Sequence, residues 1–337
     1  MLLKNCVLDG IDVVQTSLLQ WSEPEERWTR ARDAGAIPIE LFRLYEQVAY
    51  LSFGSAPRFL SDDRNIVFSY FSMALNCLLD NLVDAQKCRA ELVKDHAVLY
   101  DMGKKIRKEY WDPEADPRFR RHLRDVLIAL DGSLDTMADL VALIAGGRAK
   151  IGGLRLGKGD FVSIQSWLAQ PLKQNPVLAT PYDDHVRKLY DELRPLVICD
   201  PPETDWLGLT HILRNKILHF GQGMLRQVGL HDAKPEFYLF IPRQWPYIYE
   251  RYMRPKDPSV PHDPNLMRKL FTEALIHQDV LSFINGLNLR VSEIARVISS
   301  WMAKMCEDFK DFPVSEDSIA ALESPLAQST FQHFIDR

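Results

Sequence analysis

The stretch Phe68-Ser69-Tyr70-Phe71-Ser72-Met73-Ala74-Leu75-Asn76-Cys77-Leu78-Leu79-Asp80-Asn81-Leu82 decides the fold class. Phe68, Phe71, Leu75, Leu78, Leu79 and Leu82 recur three and four residues apart, the spacing that gathers side chains on one face of an α-helix. Asp62 and Asp63 stand ahead of it as caps, so the spacing predicts a helix from Arg64 to about Tyr100, long enough to span a helical bundle. Upstream, Pro38 to Phe53 keeps the same periodicity until Gly54 and Pro57 end it.

Downstream, Asp112-Pro113 and Asp116-Pro117 interrupt the chain, and Pro117 opens a helix rich in arginine. A separate helix is expected over Leu134 to Ile144, ending at Gly146-Gly147, followed by a Gly-rich loop to Gly159 and a Pro-punctuated connector from Pro171 to Pro181. Two more helices, Asp183 to Val197 and Glu203 to Phe220, flank Asp200-Pro201-Pro202, which cannot continue a helix. Met224 to Leu230 and Glu236 to Ile241 read as a hairpin around His231-Asp232-Ala233-Lys234. A Pro-rich loop to Pro264 leads into helices over Asn265 to Asp308, with a break expected at Asn285-Gly286. About ten helices against one hairpin make a mostly α bundle the economical architecture.

With 337 residues, 46% of them hydrophobic, the chain can bury a large core. A net charge of -5 argues against a generally basic nucleic-acid coat, so any RNA contact needs a local basic patch. Three groups are candidates for one, with a solvated helix face balanced by nearby Asp and Glu as the alternative for each: Lys104, Lys105, Arg107 and Lys108; Arg118, Arg120, Arg121 and Arg124; Arg148, Lys150, Arg155 and Lys158. The aromatic run from Phe237 to Tyr252 offers rings that stack bases or close a core. Five scattered cysteines suggest neither a zinc knuckle nor a disulfide framework, which makes a reducing cytoplasm the expected setting. No run approaches the roughly 18 apolar residues of a membrane span, so no membrane partner is expected.

The chemistry concentrates in Arg214-Asn215-Lys216-Ile217-Leu218-His219. His211, Asn215 and His219 fall at steps of four along one helical face, with Arg214 beside His211 at a step of three. His211 and His219 lie about 12 Å apart along the axis, too far to share a metal ion, so His219 reads as an acid-base group and Arg214 as a phosphate clamp. On the long helix, Asn76, Asp80 and Asp84 form a second polar stripe, and Asp80 or Asp84 would orient Arg214 or His219 if the two helices pack together. Solvation of that stripe is the alternative. The Gly152 to Gly159 segment imitates a phosphate-binding loop, but Gly159 stands where a Ser or Thr should hold magnesium.

Arg214, Asn215 and His219, set late in a helical bundle and followed by Gly221, resemble the signature of the HEPN (higher eukaryotes and prokaryotes nucleotide-binding) superfamily. Arg64 to Leu99 and Thr204 to Phe220 carry the resemblance, the first more loosely. The expected division is an N-terminal helical region over residues 1–60, a HEPN-like bundle over 61–310 with a large insertion at about 101–200 and a hairpin at about 224–241, and a tail over 311–337, the insertion, the hairpin and the long C-terminal helical region being departures from the family's compact pattern. The resemblance implies a cytoplasmic, metal-independent and cofactor-free endoribonuclease of toxin or defence type. That enzyme would act on single-stranded RNA as a homodimer, with an antitoxin or another regulatory protein restraining it. Arg214, Asn215 and His219 would be catalytic, with Asp80, Asp84, Asn76 and His211 in support. The alternative is a non-catalytic HEPN-like protein that binds RNA or serves as a protein scaffold.

Overall fold

The computed structural model describes residues 7–8, 11–12, 26–54, 64–105, 114–146, 161–169, 183–198, 206–208, 210–211, 214, 226–231, 234–239 and 280–308. The described chain is mostly helical. In chain order the helices are α1 (Glu26–Asp33), α2 (Ile39–Gly54), α3 (Arg64–Lys105), α4 (Ala115–Val141, continued by a π-helical turn over Ala142–Gly146), α5 (Phe161–Ala169), α6 (Asp183–Val197) and α7 (Val280–Asp308). Trp206, Leu207, Gly208, Thr210, His211 and Arg214 are helical as well. Two short antiparallel pairs complete the elements: β1 (Val7–Leu8) with β2 (Ile11–Asp12), and β3 (Arg226–His231) with β4 (Lys234–Leu239), in a register that opposes His231 to Lys234. No helix among the described residues is long and apolar enough to cross a membrane.

The chain divides into two compact units, neither of them a single segment. The first comprises Met1–Val83, Gly132–Val197 and Val291–Arg337, and the second Asp84–Asp131 and Ile198–Arg290. In the first unit α1 ends in a Schellman turn. Ala36 N donates to Ala31 O at 2.8 Å and Gly35 N to Arg32 O at 2.9 Å, with Gly35 at φ 70°, a left-handed conformation that favours glycine. Pro38 then supplies the carbonyl that starts α2. Trp28 of α1 is buried edge-on against Tyr45 of α2, 5.3 Å between centroids, and its indole N–H donates to Asp80 Oδ1 at 2.8 Å.

The core of this unit is an apolar set at helical spacing: Leu41, Phe42 and Val48; Phe71, Leu75, Leu78, Leu79 and Leu82; Leu134, Met137, Ala138 and Val141; Ile294, Ile298, Met302 and Met305. Tyr70 Oη reaches Asp139 Oδ2 at 3.4 Å, and Asn81 lies beside Gly132, so α3 and α4 run antiparallel here. Asp135 Oδ1 accepts the N–H of Phe161 at 3.2 Å, a cap for α5 supplied from a distant helix. Trp301 Nε1 donates to His185 O at 3.0 Å and ties α7 to α6.

In the second unit, Leu92 and Leu99 of α3, Phe119, Leu123, Val126, Leu127 and Leu130 of α4, Trp206, Leu207, and Val280, Ile284 and Leu287 of α7 are buried. Arg290 stacks over Trp206 with its Cζ 5.5 Å from the ring centroid.

Two expected breaks do not exist. Residues 117 to 141 form one helix through Gly132-Ser133, because Ser133 is fully buried and a Cβ on Gly132 would stand 3.2 Å from Asn81 Nδ2. The glycine permits a close helix approach instead of ending the helix. Asn285-Gly286 likewise lies inside α7, where Phe283, Ile284 and Leu287 carry the buried face across it. Helix α1 lies within the N-terminal region expected to be helical, and α5 is an additional helix. The Gly-rich loop, the connector from Pro171 to Pro181 and residues 265–279 lie outside the described residues.

Candidate functional site

Arg214 and His211, three residues apart on the motif segment, converge on one carboxylate, Asp131 of α4. Arg214 Nε stands 3.1 Å from Asp131 Oδ2, and His211 Nδ1 stands 3.8 Å from Asp131 Oδ1. All three residues belong to the second unit. The Asp131 side chain is 4% exposed, against 27% for Arg214 and 23% for His211, so a nearly dry anion is faced by two basic groups that reach water.

Neither Asp131 Oδ2 nor Arg214 Nε is in a hydrogen bond, although 3.1 Å is within hydrogen-bonding distance. The N–H vector therefore misses the oxygen, and the contact is an ion pair without a directed hydrogen bond. A buried carboxylate demands such a partner, because an isolated ion loses several kcal/mol of hydration. The pair thus holds the Arg214 guanidinium beside Asp131. Local structure supports the geometry: Thr210 is fully buried and its Oγ1 donates to Trp206 O at 2.7 Å, a bond back along one helical turn.

The other sequence candidates are placed differently. Asp80 accepts the Trp28 indole N–H at 2.8 Å and pairs with Arg27 Nη2 at 2.7 Å, so it serves the α1–α3 junction. Asp84 faces Lys87 at 3.6 Å on an exposed surface. The Oδ1 atom of Asn76 is buried without a hydrogen bond. The carboxylate that stands beside Arg214 in its own unit is Asp131. Asn215 and His219 lie outside the described residues.

Asp131 carried a usable signal. Leu123, Leu127, Leu134 and Ala138 are buried, and Asp131, between Leu127 and Leu134, completes their steps of three and four. A carboxylate on an apolar stripe needs a cationic partner from another segment.

No group of three or more His, Cys, Asp or Glu side chains among the described residues is arranged to hold a metal ion. Comparison with family models, with curated proteins and with solved structures found no match to this chain.

Proposed function

We propose that this chain is a HEPN-type endoribonuclease that cleaves RNA without metal. One observation carries the reading: Arg214, the first residue of the Arg-Asn-x-x-x-His motif, is held by a buried carboxylate on a neighbouring helix. A cation fixed in this way is suited to stabilise charge on a phosphate in the transition state, because its geometry is set before substrate arrives.

In the proposed reaction the ribose 2′-hydroxyl attacks the adjacent phosphorus and the bond to the 5′-oxygen of the next nucleotide breaks. His219 moves the proton: it takes one from the 2′-hydroxyl, or gives one to the leaving 5′-oxygen. Arg214 faces the non-bridging oxygens, Asn215 orients the phosphate, and Asp131 positions Arg214. His211, on the other oxygen of Asp131, adds positive potential when protonated. The products are a 2′,3′-cyclic phosphate and a 5′-hydroxyl end, and DNA resists because it has no 2′-hydroxyl. A HEPN-like bundle with the β3–β4 hairpin beyond the motif, and a homodimer with two motifs facing one cleft, belong to the same reading.

A second reading keeps the bundle without the chemistry. The Asp131–Arg214 pair alone also suits a purely structural anchor, as a binding or scaffold protein would use it. Incubating pure protein with mixed RNA in EDTA separates the two. The enzyme reading expects cleavage by the wild type and loss of it in Arg214→Ala and His219→Ala.

A further inference from the structure

We draw no further inference here: the strongest candidate, the exposed face of α3 in the second unit, where Val93 and Val98 are 43% and 39% exposed beside the exposed Ala90 and Ala97, carries nothing because nothing in the structure shows what covers it.

Discussion

Removing one partner of the Asp131–Arg214 pair should cost more stability from the Arg side than from the Asp side. At 3.1 Å the gross attraction is about 5 kcal/mol for an effective dielectric of about 20. Desolvating a carboxylate that is 4% exposed consumes much of this, which leaves a net coupling of about 1–3 kcal/mol. In Asp131→Asn the guanidinium, 27% exposed, turns toward water, and the loss should be about 1–2 kcal/mol. In Arg214→Gln the carboxylate cannot reach water and, among the described residues, keeps only His211 at 3.8 Å, so about 2–4 kcal/mol is expected. The double variant should resemble the worse single one. Urea denaturation gives the cycle, and hydrogen exchange of peptides from residues 115–131 localises the effect to the second unit. Additivity of the two substitutions within about 0.5 kcal/mol would refute the coupling.

Three further outcomes follow from the geometry. Asp80→Ala should lower stability by about 1–2 kcal/mol by releasing Trp28 and Arg27, and should leave RNA cleavage at the wild-type rate, whereas a loss of cleavage at full stability would return Asp80 to the Arg214 site. Gly286→Ala, with open space around its Cβ, should stabilise α7 by about 0.5–1 kcal/mol in thermal unfolding, while Gly132→Leu, forced against Asn81, should destabilise by about 1–3 kcal/mol; equal effects would contradict the distinction. Burial pushes the Cys306 thiol up to about 12 from 9.0, so the native state keeps a proton that the unfolded state releases first. The Cys306 contribution is therefore intact below about pH 9 and declines up to about pH 12, and Cys306 should react with a thiol reagent at pH 8 only after denaturation.

Periodicity made the helical class legible, since Phe71, Leu75, Leu78, Leu79 and Leu82 are buried as their spacing predicts, and Asp183–Val197 coincides with the expected helix. It failed where packing overrode local propensity. Gly132-Ser133 and Asn285-Gly286 are poor helix formers, yet both sit inside long helices whose buried faces run through them. Helix α1 carries few apolar residues; it rests on Trp28 against Tyr45 and Asp80, contacts made across distant parts of the chain. Local spacing alone puts Arg214 and His211 on one side of a helix, and both face Asp131. Their carboxylate was not legible, because choosing among Asp80, Asp84 and Asp131 depends on which helix packs beside the motif. That is a tertiary fact, and Asp131 announced itself only as a charge on an apolar stripe.

Cleavage of single-stranded RNA in EDTA by wild type, Arg214→Ala, His219→Ala and Asp131→Asn, with product ends identified, tests the proposed chemistry most directly. The proposal expects 2′,3′-cyclic phosphate ends from the wild type, none from the first two variants, and a rate reduced about 10- to 100-fold in Asp131→Asn, where Arg214 remains but is no longer fixed. Equal cleavage by all four proteins, or no cleavage by the purified wild type, would contradict it.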